Sequence, residues 1–292
     1  MGYRADGMLV PCWEPHERRR AAEAAGRHRD AGLRAEILEP ADARRLQPGA
    51  APDAGGFLWL PDEAQVDTQR LADALPAALG AAGVELVTAS VRRVRGKGDA
   101  VAGVELADGR RLDGARVVVA AGAWSGQLEG LPRPLPVRPV RGQMLRYPAG
   151  AGDLRRLLAN PGGRYLVPRE DGSLLAGSTM EAAGFDTSTT EAGVRAIRRA
   201  AGRLLPSLAG VEPAERWAGL RPGTPDELPV LGTDPELEGL VYATGFGRNG
   251  ILLGPVAGRA AADLALGREP EGDWSAFRPD RFTTEGVGSG GA

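Results

Sequence analysis

The sequence predicts a mixed α/β chain, α+β overall, in which an α/β domain is interleaved with a mostly antiparallel one. Three observations carry this. Val117-Val-Val-Ala-Ala-Gly122 is a continuous apolar run ending in glycine, the pattern of a strand buried on both faces of an α/β sheet. Segments 143–147, 164–168 and 173–177 read as short antiparallel strands. The α/β texture then returns over 240–266 as a strand, a glycine-rich turn and a long Gly/Ala/Leu helix. At roughly 100–200 residues per domain, the 292 residues leave room for two modest domains.

In chain order, the Ala/Arg-rich stretch 16–38 reads as a surface helix, and 43–46 as a short second one ending in a Gln-Pro-Gly turn. Asp67 or Thr68 caps a helix through Leu71, Leu75 and Leu79 that stops at glycines 80–83. Val84-Glu-Leu-Val begins a strand whose apolar spacing continues at Val91 and Val94. Segments 101–106 and 110–112 flank Ala107-Asp-Gly, a hairpin turn signal. Proline density rises over 131–139, the antiparallel strands follow, and 191–205 is helical. From Trp217 the sequence is turn-rich until the strand at 240–245. This divides the chain into an antiparallel domain over 1–60 and 136–216, an α/β domain over 61–135 and 217–270, and a tail over 271–292 with a disordered Gly/Ser end.

Composition excludes several classes. With 42% apolar and 25% charged residues and a net charge of −2, the chain is neither disordered, collagenous nor a coiled coil throughout. Of its 36 basic residues only Lys97 is lysine, and the arginines are scattered among carboxylates, so no nucleic-acid stripe is present. Cys12 is the single cysteine, which rules out an internal disulfide and points to a reducing cytoplasm. No run approaches the roughly 18 apolar residues of a spanning helix, so a soluble protein with no membrane partner is expected. Phosphate-loop, HExxH, Ser-His-Asp and Cys-His patterns are missing, and His16 and His28 both fall on the first helix. Hydrolysis, phosphoryl transfer and a metal site are therefore not expected; a cofactor must carry any difficult step.

The most informative segment is Ala243-Thr-Gly-Phe-Gly-Arg-Asn-Gly-Ile-Leu-Leu-Gly-Pro. Gly245, Gly247 and Gly250 match a dinucleotide-binding spacing, but no second parallel strand with an acidic residue follows, so the literal match is rejected. The physics remains: glycines admit close backbone approach, and a helix starting at Gly250-Ile251 aims free N–H groups at an electron-rich ligand. Glycines 250, 254 and 258 form a stripe suited to close packing against a sheet or ring. Packing of helix on strand without a ligand is the other reading. Arg221, between Leu220 and Pro222 in a turn-rich stretch, suits two-point contact with a carboxylate, against the alternative of a solvated surface arginine. Tyr165 and Met180, on a hairpin, either line a pocket or fill the core.

These stretches resemble the FAD-dependent D-amino-acid oxidase family, and within it the glycine oxidases of the thiamine-synthesis type. The similar segments are Leu60-Pro-Asp-Glu-Ala-Gln-Val-Asp to Leu71, residues 117–124, Pro139-Val-Arg-Gly-Gln, Tyr165-Leu-Val-Pro with Gly177-Ser-Thr-Met180, Gly219-Leu-Arg-Pro-Gly-Thr-Pro-Asp, and Gly245-Phe-Gly-Arg-Asn-Gly-Ile-Leu, in family order up to about Leu266. The resemblance implies a fold in which an FAD-binding Rossmann-like domain interleaves with an antiparallel substrate domain. It implies that Arg221 binds the substrate carboxylate, that Tyr165 and Met180 shape the pocket, and that Arg248 lies at its entrance. It implies FAD as cofactor, with Phe246, Gly247, Arg248, Asn249, Gly250, Ile251 and Leu252 around the flavin and Val91 on the adenine side. The implied reaction is hydride transfer from a small amino acid or amine to flavin, with dioxygen as second substrate and an imino acid and hydrogen peroxide as products. No catalytic side chain is required. Sarcosine-type and D-amino-acid oxidases are near alternatives, and a homo-oligomer is left open.

One departure is expected to matter. The family opens with a strand, a Gly-x-Gly-x-x-Gly turn, a helix and a second strand, about 30 residues that grip the cofactor pyrophosphate. Nothing of that pattern stands between Met1-Gly-Tyr and the first similar segment. The Rossmann-like domain is thus expected to be incomplete, and the rival to an active oxidase is a non-catalytic fragment unable to hold FAD.

Overall fold

The structure, a computed structural model, describes residues 2–282. In chain order its main elements are β1 (Met8–Cys12), α1 (Pro15–Asp30), β2 (Glu36–Leu38), α2 (Pro40–Leu46), β3 (Gly56–Leu60), α3 (Thr68–Ala81), β4 (Val91–Lys97), β5 (Ala100–Leu106), β6 (Arg111–Asp113) and β7 (Val117–Val119). They continue as β8 (Arg138–Tyr147), β9 (Leu157–Ala159), β10 (Tyr165–Pro168), β11 (Leu174–Gly177), α4 (Glu191–Leu204), β12 (Glu215–Gly223), β13 (Val230–Thr233), β14 (Leu240–Thr244) and α5 (Gly250–Ala265). The described chain divides into two units: residues 2–86, 142–180 and 187–219 form one, and 87–141, 181–186 and 220–282 the other. Segment 61–86, which the sequence reading joins to the α/β domain, falls in the first unit.

The first unit is built on a sheet ordered β12-β8-β11-β10-β9-β1-β3-β2, antiparallel in its registered pairs except for β1 beside β9. One face buries Leu9, Leu145, Tyr147, Leu158, Leu166 and Ala176 against Val194, Ile197, Ala201 and Leu204 of α4. These apolar residues recur two apart on strands and three or four apart on the helix, so the same spacing that sets the elements also sets the core. The Thr190 hydroxyl caps α4 by accepting the Gly193 N–H at 3.1 Å. Ala21 and Ala25 of α1 pack with Cys12, Leu58 and Leu60.

In the second unit, β7 lies parallel to β14 and β13 antiparallel to it. One face of this small sheet meets Val94 and Val101 of the β4-β5-β6 meander through Val230, Leu240 and Tyr242; the other meets Ala257, Ala260 and Ala261 of α5 through Leu231 and Ala243. The buried Tyr242 hydroxyl donates to Asp234 at 2.8 Å. Burial and that carboxylate hold the phenol protonated far above its ordinary range.

Several expectations change. The first helix stops at Asp30 rather than Leu38: Gly32 (φ +77°) takes the left-handed position, with Leu33 N–H bonded to the His28 carbonyl and Gly32 N–H to that of Arg29. Residues 36–38 are instead strand β2. No strand begins at Val84, because β5 ends opposite Val91 at Leu106 and offers no partner earlier in the chain. The run 117–122 is a strand only through Val119, and Val118 on edge strand β7 is 42% exposed, so it is not buried on both faces. The region from Trp217 is strand rather than turn through Gly223; Pro222 is tolerated because β12 ends its sheet. The stripe on α3 is helical as read, yet none of its residues is buried. Glycines 254 and 258 face open space, and α5 packs through its alanines instead. Within the tail, Ser275–Phe277 and Pro279–Arg281 are 3₁₀ turns; the Gly/Ser end, 283–292, lies outside the described residues.

The Tyr242–Asp234 bond gives a stability test. Tyr242→Phe keeps the shape but removes a donor from a carboxylate with no solvent exposure, leaving it the Glu236 and Leu237 N–H groups and the Arg133 guanidinium 3.8 Å away. The expected loss is about 1–3 kcal/mol, read as a lower urea midpoint with unchanged slope.

Candidate functional site

In the second unit the glycine-rich segment leaves the carboxyl end of β14, beside the carboxyl end of its parallel neighbour β7. Ligands of open α/β sheets sit at such ends. Thr244, buried, donates its hydroxyl to the Gly122 carbonyl at 3.2 Å and accepts from the buried Ser125 hydroxyl at 2.7 Å, so the chain after each strand is tied to the other. Gly245 (φ +74°) and Gly247 (φ +52°) then turn the chain, and a Cβ at Gly245 would stand 2.7 Å from Thr224 Cγ2. Gly247 N–H donates to the Pro222 carbonyl at 2.9 Å. That bond fastens the glycine turn to the strand end carrying Arg221, two motifs about 25 residues apart in sequence.

Helix α5 begins without a side-chain cap at Asn249. Its first i→i−4 bond runs from Leu253 N–H to the Asn249 carbonyl, so the N–H groups of Gly250, Ile251 and Leu252 precede the helical ladder. Ile251 and Leu252 are 54% and 77% exposed, apolar side chains with no cover among the described residues. Arg248 is exposed, with no carboxylate in ion-pair range among the described residues. Phe246 packs inward with Leu231 and the α5 alanines. Val91 opens β4 in the meander, a different sheet from the glycine segment. The structure therefore brings Arg221 and residues 246–252 together and leaves Val91 apart from them.

In the first unit Tyr165 opens β10 opposite Gly177 of β11, and its hydroxyl donates to Met144 Sδ at 3.5 Å. A Cβ at Gly177 would lie 2.2 Å from that sulfur and 3.2 Å from Tyr165 Cζ, so the glycine makes room for both side chains. Met180 is exposed, which removes the core-filler reading for it. The segment that follows is held within the second unit by Arg141, largely buried, which donates Nε to Glu181 at 2.6 Å and Nη1 to Asp186 at 2.5 Å. The Glu181 hydrogen bond keeps that guanidinium above its ordinary proton affinity despite burial. Met144, Arg141, Ser125 and Thr244 were not singled out from sequence. Arg141 stood within a quoted motif; Met144 becomes visible only once the strand register places it beside Gly177.

Residues 1–264 match the family model described as FAD dependent oxidoreductase. The chain belongs to that family. It is 42% identical over 241 residues to a glycine oxidase of Pseudomonas aeruginosa, covering 82% of this chain and 66% of that protein. It is 36% identical over 289 residues to a bifunctional protein ThiO/ThiG of Synechocystis, covering 97% of this chain and 41% of the relative. The crystal structure of glycine oxidase from Geobacillus kaustophilus superposes with a TM-score of 0.90 at 30% identity, over 97% of this chain and 76% of that one. The fold is thus the mixed α/β fold of glycine oxidase. The chain spans about two thirds or less of the length of these curated relatives. Among the described residues no helix is long and apolar enough to cross a membrane, and no group of three or more His, Cys, Asp and Glu residues is placed to hold a metal.

The crowding at Gly177 makes a clean test of the Tyr165 environment. Gly177→Ala should displace the Met144 thioether, break its contact with the Tyr165 hydroxyl and cost about 1–3 kcal/mol. Adding Met144→Ala should recover most of that loss, as read from the thermal midpoints of the single and double variants.

Proposed function

We propose that the chain serves the flavin-dependent oxidative deamination of glycine or a similar small amino acid or secondary amine, releasing an imino acid and hydrogen peroxide, with a link to thiamine thiazole synthesis. The observation that carries this reading is the 2.9 Å bond from Gly247 to Pro222, which holds a carboxylate-competent arginine beside a glycine-lined helix start. Similarity to glycine oxidases and to ThiO/ThiG proteins supports the substrate class and the thiamine link.

The residues present fit the ring end of FAD. N–H groups of Gly250, Ile251 and Leu252 with a helix dipole behind them suit its polar, electron-rich edge, and the uncovered Ile251 and Leu252 suit an apolar ring. Phe246 to Asn249 would contribute main chain, and Val91 is assigned to the adenine side. When bound, the flavin supplies a two-electron acceptor. The chain's own part is to bind and orient. Arg221 holds the substrate carboxylate with its guanidinium fork, Tyr165 and Met180 contact the substrate, and Arg248 attracts the anionic end at the entrance. Stretches 217–224 and 244–252 contain no carboxylate, histidine or cysteine, and Asp226, which ends the first motif, is paired with Arg281.

After incubation with FAD, peroxide release should be detected with glycine, sarcosine or D-alanine, and a protein that takes up no flavin would refute the reading in favour of the non-catalytic fragment. Arg221→Ala should raise KM for the amino acid by about 10- to 100-fold, the worth of a lost charged hydrogen-bond pair. Its effect on a decarboxylated amine analogue should be negligible; equal losses on both would remove Arg221 from carboxylate binding.

A further inference from the structure

The first unit contains a cleft of about 500 Å³ that the proposed reaction does not use. It opens on the sheet around Leu175, which stands opposite Arg146 in the β11–β8 register, and is closed by the start of α3 and by Trp217 of β12. Two of its arginines are neutralised by contact: Arg70 pairs with Glu170, and Arg146 with Asp171. Arg169 is different. Its Nη1 makes only long bonds, 3.3 Å to Gln65 Oε1 and 3.4 Å to the Val66 carbonyl, and no carboxylate stands within 4.0 Å of it among the described residues. Its Nε and Nη2 have no hydrogen-bond acceptor among those residues. Burial pulls its proton affinity below the ordinary arginine value, with Asp67 opposing this. Half of this half-buried fork is thus open to solvent or to an incoming anion.

The remaining charges say what kind of anion. Asp67 is committed to capping α3, accepting the Gln69 and Arg70 N–H groups at 3.1 Å. Glu215 is loosely held, 4.0 Å from Arg146 Nη1 and largely exposed. Counting the whole lining, four carboxylates face three guanidinium groups, so a dianion such as phosphate would deepen an existing negative excess. A zwitterion would not: its carboxylate matches the Arg169 fork, and its ammonium matches the Glu215 carboxylate on the same lining. Leu175 offers a small apolar side chain a surface.

We propose that this cleft binds a free zwitterionic α-amino acid, with Arg169 as its carboxylate anchor and Glu215 as its ammonium partner, and that it fills independently of Arg221. The probe is alanine, titrated anaerobically into the full chain and followed by saturation-transfer NMR. Arg169→Gln should weaken alanine binding at least tenfold, with partial recovery in Arg169→Lys, while Arg221→Ala should leave this binding within twofold. Glu215→Gln, at an exposed strand position, should weaken alanine but not acetate, which keeps the test decisive if Arg169→Gln folds poorly. Binding that survives both Arg169→Gln and Glu215→Gln overturns the proposal, as does binding lost with Arg221→Ala. Competition by inorganic phosphate as strong as by glycine would overturn the zwitterion and leave a plain anion site.

Discussion

The parallel pairing of β14 with β7 is the constraint on which the glycine-rich segment depends. Because the two strands run the same way, residues 120–125 and 245–250 emerge from the same side of the sheet. Thr244 then links the two exits through the Gly122 carbonyl and the Ser125 hydroxyl, and both side chains are buried, so neither bond competes with water. Only after that does the left-handed turn at Gly245 and Gly247 carry meaning, since it points the chain at Pro222 rather than into solvent. Strand pairing and the Gly247–Pro222 bond therefore set the chain at Arg221 beside the start of α5.

An arginine-rich chain hides its functional cations among structural ones. Most exposed pairs, such as Arg34 with Asp62 or Arg198 with Glu212, are screened by solvent and add little to stability. Arg141 belongs to another class, because it is largely buried and held between Glu181 and Asp186; removing both partners there would strand a desolvated charge. The informative arginines are those left over after such pairing. Arg248 and Arg169 stand out on that ground, for opposite reasons: one is exposed beside a helix start, the other half-buried in a cleft. Its place in the glycine-rich motif marks Arg248 in the sequence, whereas nothing local separates Arg169 from the other guanidinium groups.

How much could be read in advance follows from the range of the signals involved. Local chemistry was readable: Asp67 as the cap of α3, the Asp108-Gly109 hairpin, the antiparallel strands around 143–147, 164–168 and 173–177 and the extent of α5 all rest on a few adjacent residues. Misreadings arose where a distant partner decides the outcome. Val84 to Val87 have strand composition but no strand to pair with, and Val118 has core composition but lies on an edge. Trp217 to Gly223 carry glycine and proline yet form a strand, because the outer rail of a sheet tolerates a missing N–H. At the candidate site, Arg221 and the glycine turn were visible as motifs, but Met144 was not, nor was Arg169 in its separate cleft. Their placement comes from strand register and from a cleft wall contributed by four separate segments.

The start of α5 shows how stability and binding capacity trade against each other in this fold. Its buried face is three alanines, which bury little area, and its N-terminus lacks a capping side chain, which forgoes about 1 kcal/mol. Ile251, Leu252 and Val256 are left in contact with water, each giving up part of the roughly 25 cal/mol per Å² that burial would return. Asn249 is a capping residue type, but its backbone (φ −100°, ψ 7°) lies outside the extended region a cap adopts, and its side chain leaves the first-turn N–H groups available. An alanine at Gly254 or Gly258 would meet no atom within 4 Å, so space within the unit does not require those glycines either. What they provide is a flat outer surface on a helix that starts with free donors and uncovered apolar side chains. A helix arranged only for packing would have filled and capped these positions; one arranged to receive a planar, electron-rich ligand must leave them open.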